Sequence, residues 1–237
     1  MKRLLVALLL CGSGYATAAE FAGNIGYFSD YRFRGISQGD RSPALQGGFD
    51  IELDGGFYLG TWASNVAPWS GGTIELDWYG GWATDLTESS AIDIGVWYYG
   101  YPEDDADPGL DFVEIYGNYS FQDFTLGVAW SPDYFAETDS FFYVFGDYSY
   151  GLTDNLSLDI HLGFNLFNDK AAGAAFGIGE IDDPKDQYID YAIGLSTSAM
   201  GVDWGLQFIG TDLSDAECFG GFKGCEETVV VSVSKSL

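Results

Sequence analysis

The sequence predicts an all-β protein: a transmembrane, antiparallel, up-and-down β-barrel of about twelve strands. Three observations carry that expectation. Apolar and polar residues alternate with a period of two through most of the chain. Most of the alternating runs come close to the ~9 to 11 residues that a tilted strand needs to cross a hydrocarbon core. The links between runs are alternately short and long, as in a barrel inserted from one side with tight turns at one rim and extended loops at the other.

The N-terminus is read separately. Lys2 and Arg3 precede an apolar run from Leu4 to Leu10, and small residues end in Ala16-Thr17-Ala18-Ala19 before Glu20. That order is a secretory signal peptide, with an apolar region too short to span a bilayer. Residues 1–19 are therefore expected to be cleaved, leaving 20–237 as one barrel domain in the bacterial outer membrane.

Twelve alternating runs follow, near 24–36, 44–53, 57–65, 73–84, 91–100, 111–121, 124–131, 141–150, 156–167, 188–198, 202–211 and 228–236. The clearest places Leu156, Leu158, Ile160, Leu162, Phe164 and Leu166 on one face, opposite Ser157, Asp159, His161, Gly163 and Asn165. The even-numbered links are short, Gln122-Asp123 among them, and Asp54-Gly55-Gly56 and Met200-Gly201 are tight-hairpin chemistry. The odd-numbered links after the first are long, at 67–72, 101–110, 132–140, 168–187 and 212–227.

Composition narrows the function. Thirty-six acidic residues stand against nine basic ones, for a net charge of −27. Nucleic acid is excluded as a partner, because phosphates need Lys and Arg to displace their counterions. Disorder fails as well, since 47% of the chain is apolar and 17% aromatic. Trp62, Trp69, Trp78, Trp82, Trp97, Tyr98, Tyr99, Tyr101, Trp130, Tyr148, Tyr150 and Trp204 crowd strand ends, where an interfacial aromatic girdle is expected.

The face opposite the apolar one carries charge in mid-strand, and these residues are the candidate pore lining: Asp30, Arg32, Arg34, Asp50, Glu52, Glu75, Asp77, Asp93, Glu114, Asp147, Asp159, Asp190 and Asp203, with His161 among them. Acids dominate, so the interior potential is expected to be negative and to enrich cations. Asp30, Arg32 and Arg34 share one face of the expected first strand. They would set a constriction or brace the barrel as internal ion pairs.

The gap 168–187, with Ala171-Ala172-Gly173-Ala174-Ala175-Phe176, is small and apolar enough to fold into the mouth and narrow it. Cys218 and Cys225 are candidates for a local disulfide in an exported loop. The acidic loop 103–111 lacks the spacing of a dedicated calcium site and is expected to be solvated. His161 is the only histidine and no Gly-x-Ser-x-Gly elbow occurs, so no catalytic residue, metal centre or cofactor is expected. The expected partners are outer-membrane lipid and small solutes or cations. A non-conducting barrel acting as scaffold or surface adhesin is the alternative.

Residues 26–38 read Gly-Tyr-Phe-Ser-Asp-Tyr-Arg-Phe-Arg-Gly-Ile-Ser-Gln. This resembles the opening of the TorF-family porins, outer-membrane proteins whose first strand carries a similar Ser-Asp-Tyr-x-Phe-Arg-Gly-x-Ser-Gln. The resemblance implies an outer-membrane pore and is compatible with the whole mature chain.

Overall fold

The alternation folds as its period dictates. In the computed structural model, which describes residues 19–68, 72–102 and 104–237, successive side chains of each strand point to opposite sides of one continuous sheet. Twelve strands form its wall: β1 (Glu20–Phe28), β2 (Ala44–Glu52), β3 (Phe57–Asn65), β4 (Ile74–Thr87), β5 (Ser90–Tyr99), β6 (Phe112–Phe121), β7 (Phe124–Ser131), β8 (Phe141–Gly151), β9 (Leu156–Phe167), β10 (Gln187–Ala199), β11 (Val202–Thr211) and β12 (Thr228–Ser236). Each pairs antiparallel with its neighbours in sequence. β1 pairs with β12 from Asn24 opposite Ser236 to Phe28 opposite Ser232, which closes the barrel and leaves no free edge. The segment expected to be a signal peptide, apart from Ala19, lies outside the described residues, as do Trp69 and Glu103.

The outer surface is apolar. Phe49, Leu59, Ile94, Ile115, Leu126, Leu162, Ile193, Leu206 and Val231 are all exposed, and they come from nine different strands. In water such a continuous belt would be an aggregation surface, whereas acyl chains match it. Among the described residues no helix is long and apolar enough to cross a membrane, so a membrane passage falls to the strands.

The aromatic girdle needs correction. Trp78, Tyr98, Tyr150 and Trp204 do point outward, but Tyr99 and Tyr101 are buried and Trp97 packs on Tyr79 and Tyr99 inside the barrel. Parity explains it: Ile94, Val96 and Tyr98 face outward, so Trp97 and Tyr99 must face the lumen.

The turns at one rim are short. Gly55 and Gly56 join β2 to β3 at φ 80° and 86°, and Met200-Gly201 joins β10 to β11 at φ 59° and 79°. At the other rim every connection is long, including the first. The strand expected over 24–36 stops at Phe28, so residues 29–43 form a loop and the short and long alternation has no exception.

Candidate functional site

The correction to the first strand creates the main feature of the lumen. Arg32–Phe33 pairs with Ile36–Ser37 in a small hairpin whose tip is Arg34-Gly35, both at positive φ (48° and 80°). That is the geometry of a two-residue hairpin turn, and it suits Gly35 far better than it suits Arg34. The strands of the wall leave too little room for anything else at this tip. A Cβ on Gly35 would lie 2.6 Å from Thr211 Cγ2, 2.7 Å from the Gly210 carbonyl oxygen and 2.9 Å from Asp190 Cβ. Asp30, Arg32 and Arg34 therefore do not share one face of a strand.

Each of the three has a fixed partner. Arg32 Nε donates to Asp30 Oδ2 at 2.6 Å, and its Nη1 donates to the carbonyl oxygens of Gly35, Gly224 and Glu226. Ser37 Oγ donates to Asp30 Oδ1 at 2.6 Å. Arg34 crosses the barrel to β6, where Nη1 and Nη2 donate to Glu114 Oε1 and Oε2 at 2.7 and 2.8 Å. The rings of Tyr143, Phe33 and Phe141 surround the guanidinium, with centroids 4.2, 4.7 and 4.9 Å from its central carbon. A planar, delocalised cation suits both the carboxylate fork and the aromatic faces. Glu114 is only 2% exposed, so this pair is dry.

Around it the outer half of the lumen is a hydrophobic core. Tyr99, Phe112, Tyr134, Phe141, Phe167 and Tyr188 are buried there; Tyr134 stacks on Phe141 at 4.0 Å and Tyr99 on Phe112 at 4.3 Å. The segment 168–186 contributes a helix, α1 (Lys170–Phe176), capped by Asp169 and ended by Gly177. Its Phe176 packs on Tyr134, Phe135 and Phe167. The mouth is thus filled from two sides, by residues 29–43 and by residues 168–186.

The mouth loops are tied together. Cys218 and Cys225 form a disulfide with Cα atoms 6.1 Å apart. Phe219 N–H donates to the Gly177 carbonyl at 2.7 Å, and Lys185 pairs with Glu217 at 2.8 Å. The Lys185 hydrogen bond, with donors from Ser214, holds the Glu217 carboxyl down to about 2. In the loop after β5, Asp104 accepts from the backbone of Ala106 and Leu110 while Asp111 accepts from Tyr101. These carboxylates shape their own loop.

The remaining candidates divide by depth. Glu75, Asp77 and Asp190 face the outer half and are almost fully buried, at 1, 1 and 2% exposure. They are interior residues without contact with bulk water. His161 marks the boundary: Nδ1 lies 2.6 Å from Asp147 Oδ1 and Nε2 lies 2.9 Å from Asp190 Oδ1, with Tyr143 Oη 2.8 Å from Nε2. Asp50, Glu52, Asp93, Asp147, Asp159 and Asp203 sit toward the short-turn rim and are partly exposed. Tyr79 donates to Asp50, Tyr58 to Asp93 at 2.6 Å and Ser149 to Asp159 at 2.7 Å. Sequence reasoning missed the tyrosines and Trp97, although their parity with the acids placed them on the inner face.

A closed antiparallel barrel with an apolar exterior and charged side chains inside has the fold of the outer-membrane porins. It superposes on the KdgM porin with a TM-score of 0.54 at 9% identity, covering 91% of this chain and 99% of that one. With the NanC porin the TM-score is 0.52 at 9% identity, covering 91% and 98%. At that identity the likeness is one of fold. The sequence matches the family described as "Bacterial protein of unknown function (Gcw_chp)" over residues 13–237, and the chain belongs to that family. No curated protein matches it.

Proposed function

We propose that this chain is an outer-membrane channel for passive diffusion of small solutes, that it prefers cations, and that its exported, lipid-embedded form begins near Glu20. The observation that carries the reading is the sidedness of the wall: exposed apolar side chains outside, and Asp50, Glu52, Asp93, Asp147, Asp159 and Asp203 on the inside toward the short-turn rim. A partly hydrated ring of carboxylates raises the local concentration of cations and depletes anions. The TorF-like opening fits the same reading, and its Tyr-Arg-Phe-Arg-Gly supplies the hairpin that crosses the lumen.

Twelve strands enclose a bore between the side-chain-filled interior of ~8 strands and the open channel of ~16. Passage therefore depends on the filling. With the outer half packed around Arg34, permeation calls for displacement of the loop 29–43. The packing also favours a second reading, a non-conducting barrel that presents its acidic loops as scaffold or adhesin. Refolded protein in planar bilayers separates the two. Under a salt gradient the first gives conductance with a cation-selective reversal potential; anion selectivity refutes the preference, and the absence of conductance in both the parent and Arg34→Ala supports the scaffold.

A further inference from the structure

We propose that Glu75 and Asp77 form a lumenal binding site for a hard divalent cation of the calcium class. The two acids are alternate residues of β4 and share its inner face. Both are 1% exposed. Tyr31 Oη donates to Glu75 Oε1 at 3.2 Å, and Trp97 Nε1 donates to Asp77 Oδ2 at 2.9 Å, with the Gly100 backbone N–H also directed at the Asp77 carboxyl. Glu75 Oε2 and Asp77 Oδ1 are buried with no hydrogen-bond partner.

Two adjacent carboxylates in a dry interior repel each other, and leaving both uncompensated is costly. No basic side chain compensates them among the described residues. Arg32 is committed to Asp30 and Arg34 to Glu114, and neither Glu75 nor Asp77 takes part in an ion pair. A third orphan lies on the same stretch of wall. Gln46 on β2 is opposite Ser64 on β3, which is opposite Glu75 on β4, and the Gln46 amide nitrogen is also buried without a partner. Rotating that amide exchanges its nitrogen for an oxygen. Ser64 Oγ donates to the Asn65 carbonyl at 3.0 Å and keeps its lone pairs for a ligand.

The donor set is all oxygen, includes two carboxyl groups and contains no sulfur or imidazole. That chemistry selects a hard divalent ion over zinc or copper. Tyr31, edge-on to Trp62 at 5.4 Å, covers the pair from the hairpin side, so the site lies beneath the segment that fills the mouth. The inference deepens the cation-preferring reading and rests on the same acidic interior, but binding is read without conduction. A filled site in a blocked barrel and an empty site in an open one are therefore distinguishable.

The test is terbium luminescence on the refolded, detergent-held full chain, with calcium as competitor. Terbium substitutes for calcium and is sensitised by nearby indoles, here Trp97 and Trp62. The expected result is one class of sensitised site in the parent, weakened about tenfold or more by Glu75→Gln with Asp77→Asn, and unchanged by Asp105→Asn with Asp107→Asn in the exposed loop. Equal binding by the parent and the β4 variant overturns the proposal, as does signal lost only in the loop variant. If the β4 variant does not refold, Trp97→Phe decides: dimmed emission with retained calcium competition supports the site, and undimmed emission refutes it.

Discussion

The same strands build two different interiors. Toward the long-loop rim, β4, β5, β6, β8 and β10 contribute Glu75, Tyr99, Glu114, Phe141 and Tyr188, all buried in a packed core around Arg34. Toward the short-turn rim, β2, β5, β8, β9 and β11 contribute Asp50, Asp93, Asp147, Asp159 and Asp203, which stay partly exposed. The wall is continuous between them, so the difference comes from what the loops place inside it. One end behaves like the interior of a soluble protein and the other like the vestibule of a pore. Function then depends on whether the dry half can open.

The largest expected effect comes from breaking the bridge that spans the dry half. Glu114→Gln leaves the Arg34 guanidinium buried among aromatic rings without its carboxylate, a loss of about 3–5 kcal/mol for a buried pair with one partner removed. Urea unfolding in lipid vesicles should show that loss, and single-channel conductance should rise as the hairpin loosens. An unchanged conductance alongside the stability loss would mean that the dry half stays shut without its bridge.

The next effect addresses the exterior shared by both halves. Leu162 is exposed on β9, so Leu162→Arg should cost about 2–4 kcal/mol if it lies near the bilayer midplane. His161→Ala on the same strand faces the lumen and should leave lipid insertion unaffected. If Leu162→Arg folded as well in detergent-free buffer as the parent does in lipid, the outward belt would not be a lipid surface.

Gly35→Ala sharpens the comparison at the hairpin tip. The residue sits at φ 80° against Thr211, Gly210 and Asp190, so an added methyl meets both a backbone penalty and a wall. A cost of about 1–3 kcal/mol is expected, together with raised conductance, because the tip is pushed from the wall it closes against. Gly201→Ala, at φ 79° in a turn with open space around it, should cost less and leave conductance unchanged.

The two halves were unequally legible in the sequence. Wall strands announce themselves locally: Leu158, Ile160, Leu162 and Phe164 alternate with Asp159, His161 and Gly163, and a one-residue slip would send every apolar side chain into the lumen. Parity also assigned Glu75, Asp93 and Asp190 to the inner face. The hairpin was hidden because Asp30, Arg32 and Arg34 alternate just as a strand would. What turns them inward is Glu114 and its aromatic surroundings, a partner 80 residues away that no local period encodes. The one local sign was Arg34-Gly35, a positive-φ tip followed by Gly39-Asp40-Arg41-Ser42-Pro43, which no wall strand contains. Burial of Glu75 escaped for the same reason, since its partner Tyr31 belongs to the loop 29–43, 44 residues away in sequence.

The smallest expected effect lies where the mouth loops meet water. Glu217 has its carboxyl held down to about 2 by the hydrogen bond from Lys185 and by those from Ser214. Because the folded value lies below the unfolded one, the contribution of this contact is full above about pH 4.3 and is lost as the pH falls through about 2. Both side chains keep contact with water, with Lys185 33% and Glu217 21% exposed, so screening limits the pair to no more than about 1 kcal/mol. Thermal unfolding at pH 5 and pH 2 should therefore show a slightly smaller acid-dependent drop in Glu217→Gln than in the parent. A drop of equal size would assign the acid sensitivity of the mouth to other carboxylates. A much larger difference would mean that this contact helps to hold the dry half closed.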